Sequence, residues 1–197
     1  RSLATLAQAD DLLVTAVAPS KTFNIAGMGL ASLIAANPAH RAALKQAFAS
    51  LHIGESNPFS ITAFEAAYRH GEPWLNELLP YLQANLDYVR DYIRRYLAPI
   101  ALIEPEGTYL LWLDCRALGL NDQDLGRFFI DRARLGLNAG YSFGSAGSGF
   151  MRLNIACRRA VLTEALLAGL ADPEAARERA RAQIESAQAR GDRLGFA

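Results

Sequence analysis

The side chain in this sequence with the clearest chemical potential is Lys21, in the stretch Ala18-Pro19-Ser20-Lys21-Thr22-Phe23-Asn24-Ile25-Ala26-Gly27. An apolar run, Leu12-Leu13-Val14-Thr15-Ala16-Val17, leads into it and Gly27-Met28-Gly29 follows, which places the lysine where a strand ends. An amine partly withdrawn from water at such a point loses some of its preference for the protonated form and becomes a better nucleophile toward carbonyl groups. The alternative is a strand-end lysine that simply reaches solvent. The only other lysine, Lys45, lies near Arg41 and Gln46 in a helical pattern and reads as a solvated side chain.

Arg152 is the second residue of interest, inside Phe150-Met151-Arg152-Leu153-Asn154-Ile155-Ala156. A strand alternates its faces, so Met151, Leu153 and Ile155 share one side, and Phe150, Arg152 and Asn154 the other. A guanidinium in that position must meet an anion or water, because burying it unpaired is costly. Asp114 or Glu104 of a neighbouring strand could supply the anion, or an external carboxylate could, gripped bidentately by the planar fork. The run from Gly140 to Gly149 precedes this strand and carries glycines at 140, 144, 147 and 149. It lacks the order strand, glycines, helix of a dinucleotide fingerprint and reads as a surface loop.

The string Ser20-Lys21-Thr22-Phe23-Asn24-Ile25-Ala26-Gly27 resembles the cofactor-lysine motif of fold-type I pyridoxal 5'-phosphate (PLP) enzymes. Within them it is most similar to the cystathionine β-lyase-like (C–S lyase) branch of the class I/II aminotransferase family. Gly149-Phe150-Met151-Arg152-Leu153-Asn154-Ile155-Ala156-Cys157 resembles the same family's C-terminal motif, whose arginine binds the substrate α-carboxylate. The resemblance implies an α/β chain forming the C-terminal part of such an enzyme. It implies that Lys21 holds PLP covalently with Ser20 and Thr22 beside the phosphate, and that Arg152, Tyr141 and Asn154 meet the substrate. Many relatives carry a serine three residues before the lysine and an arginine eight after it; here those positions are Ala18 and Gly29. The missing arginine fits the lyase-like branch better than ordinary transaminases.

The implied reaction is elimination from a cysteine-derived, cystathionine-like amino acid, releasing thiol, pyruvate and ammonia. An aminotransferase shares its early steps and is the alternative enzyme. A non-catalytic fragment, or the PLP-sensing part of an aminotransferase-like transcriptional regulator, is the alternative of another class. Family members are usually homodimers, and Ser56-Asn57-Pro58 is the expected subunit contact.

Around these residues the patterning predicts alternating elements. The resemblance makes residues 1–72 the end of a large PLP-binding domain, with a strand over 12–17, a run over 28–36 that periodicity leaves as strand or buried helix and the family favours as strand, a helix from Asn37-Pro38, and another capped by Ser60. Residues 73–97 repeat apolar side chains at spacings of three and four, the mark of a long amphipathic helix, with Pro80 as a kink point. Residues 98–171 are expected to form a small α/β domain. It would hold a hairpin around Pro105-Glu106-Gly107, a helix from Asn121-Asp122 to about Arg134, short strands at 135–137 and 150–156, and a helix over 159–170. Residues 172–197, with opposite charges three apart at Glu174/Arg177 and Glu178/Arg181, read as a solvated helix or frayed tail.

Twenty basic against twenty acidic residues leave no net charge, so no general attraction to nucleic acid or membranes is expected. The longest apolar stretch, 26–36, is too short and glycine-rich to span a bilayer, and no signal peptide opens the chain. Cys115 and Cys157 have no metal or disulfide-framework spacing, and free thiols fit a reducing, cytoplasmic setting. His40, His52 and His70 are scattered, without metal-ligand spacing. The chain opens Arg1-Ser2-Leu3, with Met28 and Met151 its only methionines, so roughly half of the protein is expected to lie ahead of it. On its own the chain is expected to be inactive and to bind PLP poorly, with the acid for the pyridine nitrogen and the ring-stacking aromatic both lying elsewhere.

Overall fold

The computed structural model describes residues 3–5, 12–53, 57–97 and 99–170. Chain contacts divide it into two units, Arg1–Leu79 and Pro80–Ala197. The charged stretch read as a tail, 172–197, lies outside the described residues, as does Ser56.

In the first unit, β1 (Thr15–Val17) pairs antiparallel with β2 (Ser32–Ile34). Both strands are shorter than the apolar runs that predict them. A single two-stranded ribbon has no face to bury alone, and none of its side chains is fully buried: β1 alternates half-buried and exposed, while Leu33 and Ile34 of β2 are both exposed. Two helices follow. In α1 (Pro38–Ser50) the Asn37 side chain accepts from the Ala39 N–H at 2.8 Å, the expected cap. Its supposed inner face is thin, since Leu44 is half-buried and Phe48 exposed.

In α2 (Pro58–His70) the cap is Asn57, not Ser60: Asn57 Oδ1 accepts from the Phe59 N–H at 2.9 Å. Ser60 lies inside the helix, buried, and its hydroxyl donates to the carbonyl of Met28. Phe23 packs edge-on to Tyr68 at 5.7 Å and against Trp74 at 6.3 Å, and Gly71 leaves room for its ring. A Cβ at Gly71 would press on that ring and on the Ala67 carbonyl. Thus the segment just after Lys21 is fixed by an aromatic cluster from α2 and the start of α3.

The long helix α3 runs Glu72–Tyr96 with Pro80 inside it. The second unit contains a four-stranded antiparallel sheet in the order β3-β4-β6-β5, made of β3 (Ala101–Ile103), β4 (Leu110–Asp114), β5 (Asn138–Ala139) and β6 (Phe150–Asn154). β5 falls just after the predicted 135–137. Helix α4 (Asp122–Arg127), capped by Asn121, passes into a π-turn, Phe128–Arg132, rather than continuing as α-helix to Arg134. Helix α5 spans Arg159–Leu170 as the pattern predicts.

Leu111, Leu113, Met151 and Leu153 from one sheet face join Val89, Ile93, Leu125, Phe129, Leu162 and Leu166 in a single core. Removing such apolar area from water is the main force holding the unit. Apart from Ala35 and Pro19, the buried apolar side chains of the described residues all belong to this second unit. No helix among the described residues is long and apolar enough to cross a membrane.

Candidate functional site

Lys21 lies in the turn that follows β1. The turn closes on itself through main-chain bonds from Phe23 N–H to Pro19 O at 2.9 Å and from Ile25 N–H to Ser20 O at 3.1 Å. Pro19 is buried and Ser20 half-buried beneath the loop, while Lys21 and Thr22 are exposed. The partial burial expected for Lys21 is therefore absent in this chain, because the ribbon carrying it has no buried face. No hydrogen bond or ion pair engages the Lys21 amine or the Ser20 and Thr22 hydroxyls among the described residues. Lys45, exposed on α1, has no comparable setting.

Arg152 lies on the sheet face turned away from the core, with Leu110, Trp112, Asp114, Phe150 and Asn154. The alternation of β6 is as predicted, with Met151 and Leu153 buried and Arg152 half-buried between them. Its register partners are Trp112 on β4 and Asn138 on β5. Neither acid considered for it is available: Asp114 is joined to Arg116 at 2.7 Å, and Glu104 to Arg90. The guanidinium instead donates from Nη2 to Asn138 Oδ1 at 3.0 Å, with its Cζ 4.4 Å from the centre of the Phe143 ring. Its Nε–H is buried and has no partner among the described residues. A buried donor left unsatisfied costs stability, and an arginine paired with no carboxylate among the described residues is open to an anion from elsewhere.

The same face carries an aromatic row. Phe143 meets Trp112 edge-on at 5.8 Å, and Trp112 stacks on Phe150 at 5.6 Å with 18° between planes. The guanidinium of Arg116 lies 4.8 Å from the Phe150 ring centre, the geometry of a cation–π contact.

The glycine-rich segment is a structured wall, not an open loop. It forms two 3₁₀ turns, Gly140–Phe143 and Ser145–Gly147, and is tied down where Asp122 accepts from the Gly149 N–H and the Ser148 hydroxyl, each at 2.8 Å. Tyr141 stands exposed on it, and Ser142 donates to the Ala139 carbonyl at 2.7 Å. Asn154 is exposed at the end of β6, where its Oδ1 accepts from the Ala156 N–H at 2.8 Å. Asn138 and Phe143, which touch the guanidinium directly, carried no signal in the sequence beyond lying near the glycines. Cys115 and Cys157 are free thiols. No cluster of three His, Cys, Asp or Glu side chains able to hold a metal occurs among the described residues.

No family model matches the chain. It is similar to solved fold-type I structures. The PLP-bound putative aminotransferase from Clostridium difficile 630 has a TM-score of 0.77 and 42% identity over 79% of this chain and 40% of that one. Cystalysin from Treponema denticola, which contains pyridoxal 5'-phosphate, has a TM-score of 0.79 and 31% identity over 90% of this chain and 43% of that one. The architecture is therefore that of part of a fold-type I PLP-dependent enzyme. Among curated relatives, cystathionine β-lyase PatB of Bacillus subtilis is 38% identical over 156 residues, 79% of this chain. By sequence and fold together, the chain is similar to part of the cystathionine β-lyases and of PLP-dependent aminotransferase and C–S lyase structures. It spans about 40% of the length of the curated relatives it matches.

Proposed function

We propose that this chain is the C-terminal portion of a PLP-dependent C–S β-lyase acting on a cysteine-derived, cystathionine-like amino acid. Residues 1–72 would complete a cofactor-binding domain, 73–97 connect it onward, and 98–171 form the small domain. The observation that carries the reading is Arg152: a half-buried guanidinium on β6 that pairs with no carboxylate among the described residues, Asp114 of the adjacent strand being held by Arg116, and whose buried Nε–H has no partner there. A substrate α-carboxylate is the anion such a fork accommodates.

The residues of the Lys21 turn fit PLP. Lys21 offers an amine free of hydrogen bonds and ion pairs, and Ser20 and Thr22 flank it with hydroxyls suited to a phosphate. When bound, PLP supplies an electron sink for the charge left on the substrate Cα. Lys21 would hold it covalently through its amine. The Lys21 Nζ would also serve as the general base for the substrate Cα proton. Arg152 fixes the carboxylate and so the orientation of the Cα–H bond. With loss of that proton and cleavage of Cβ–S, the thiol leaves, and addition of water to the remaining product releases pyruvate and ammonia. Tyr141 and Asn154 are proposed to line the substrate side, with the complete protein working as a homodimer in the cytoplasm.

The test is the complete protein incubated with cystathionine and no added keto acid. Pyruvate should form, Lys21→Ala should abolish its formation, and Arg152→Ala should raise KM more than it lowers kcat. Full turnover in the lysine variant would overturn the assignment. The similarity to the C. difficile putative aminotransferase gives a second reading. Amino-group transfer only on adding a keto acid, without pyruvate release, would select it.

A further inference from the structure

We propose that Asn138 is a positioning residue for Arg152, holding the guanidinium in register for an incoming α-carboxylate without neutralising it. The inference rests on the carboxylate reading of Arg152 given above. Asn138 and Arg152 are direct register partners across β5 and β6, where facing side chains lie close enough to interact. The amide oxygen accepts from Nη2 at 3.0 Å, which fixes rotation of the guanidinium within its own plane. Phe143, 4.4 Å from Cζ and braced by Trp112, fixes the plane itself. Together they leave the Nε–H without a partner among the described residues and the guanidinium paired with no carboxylate there.

The residue type matters. An aspartate at 138 would accept from the same nitrogen and make a stronger bond, but would also supply a competing carboxylate. A neutral amide orients the fork and leaves its charge for the ligand. A structural role predicts the reverse, with aspartate serving as well as asparagine or better. Asn138 is exposed on a two-residue edge strand and contributes nothing to the core, so its variants should fold.

The experiment uses the complete, PLP-loaded protein with Asn138→Ala, Asn138→Asp and Arg152→Ala. It measures KM and kcat for cystathionine and the calorimetric affinity for two probes without a β leaving group, 2-aminoisobutyrate and isopropylamine, which share an amine and differ in the carboxylate. Both Asn138 variants are expected to raise KM about tenfold with kcat within about twofold, the alanine by losing one hydrogen bond to a charged group and the aspartate by competing with the substrate carboxylate. Affinity for 2-aminoisobutyrate should fall in step and that for isopropylamine should not change. Asn138→Asp should be at least as impaired as Asn138→Ala while melting no lower than wild type. Normal binding in Asn138→Asp, or equal loss for both probes, overturns the positioning role. If Arg152→Ala binds both probes normally, the carboxylate reading fails and this proposal with it. If Arg152→Ala loses 2-aminoisobutyrate but neither Asn138 variant does, only the proposal fails.

Discussion

Asn85, fully buried on α3, donates through Nδ2 to the main-chain carbonyl of Ile155 at 2.8 Å, across 70 residues of sequence. The same amide reaches the Cys157 carbonyl at 3.1 Å, and its Oδ1 accepts from Arg159 Nε at 2.8 Å. One turn earlier, the Tyr81 hydroxyl accepts from the Arg159 N–H at 2.7 Å and donates to the Cys157 carbonyl at 3.3 Å. The chain leaving β6 is thereby fastened to α3, and β6 is the strand that carries Arg152. Replacing Asn85 by leucine strands the buried Ile155 carbonyl and the Arg159 Nε–H, and leaves the Cys157 carbonyl with Tyr81 alone. The expected cost is about 2–4 kcal/mol. Urea denaturation followed by Trp112 fluorescence in a Trp74→Phe background checks this, and an unchanged midpoint would contradict it.

The wall beside Arg152 depends on two backbones that nearly touch. A Cβ on Gly140 would fall on the carbonyl oxygen of Gly147 and within 2.7 Å of that of Phe150, while one on Gly147 would fall on the Gly140 carbonyl. Backbone cannot withdraw as a flexible side chain can, so Gly140→Ala and Gly147→Ala should each destabilise the second unit by about 2–4 kcal/mol. By contrast, Gly136→Ala meets open space and should be nearly neutral. Thermal melts of the three variants make the comparison. Equal melting of all three would show that the turns are not packed as described.

What the sequence made readable follows from which forces are local. Period two alone assigned the faces of β6, because Met151 and Leu153 are long apolar side chains with only one place to go. Apolar spacing located α3, and the apolar run after Arg159 located α5. The cap of α2 was misread although its signal was present: Asn57-Pro58 repeats the Asn37-Pro38 pair that starts α1, and Ser60 competed for the role on residue type alone. The exposure of Lys21 was not legible, since a strand-like run does not reveal whether anything covers it. Nor were Asn138 and Phe143, because their contacts with Arg152 depend on the strand order β4-β6-β5, which local pattern does not encode.

Arg90 lowers the Glu104 carboxyl below its ordinary range through a side-chain hydrogen bond, and Arg116 does the same for Asp114. A group whose folded value is depressed binds fewer protons folded than unfolded. Its stabilisation is therefore present above the ordinary carboxylate value near 4 and is lost as pH falls through the folded value. The melting temperature should drop below about pH 4, and Glu104→Gln should flatten part of that drop. Since these pairs are solvent-exposed, 1 M salt should shrink the difference between wild type and variant. A Glu104→Gln acid profile superimposable on wild type at low salt would remove the pair from the account.

Cys115 behaves in the opposite sense at alkaline pH. Burial pushes its thiol up to about 12, and the neighbouring charge of Asp114 adds to the rise. Cys157 is raised as well, by burial, though it is only half-buried. Because the thiolate is the reactive form, Cys115 should resist iodoacetamide at pH 8 in the folded chain while Cys157 reacts slowly. Both should be modified at the rate of a free thiol in urea. The same shift links to stability: above the ordinary thiol value near 8.5 the unfolded chain releases a proton that the folded chain retains. Unfolding is then favoured by up to about 1.4 kcal/mol per pH unit until the folded value is reached. Cys115→Ala leaves a small cavity that lowers stability at every pH, but it should abolish this alkaline slope. Urea midpoints at pH 7 and pH 10 separate the two effects, since a variant that keeps the wild-type slope would assign the alkaline loss to another group.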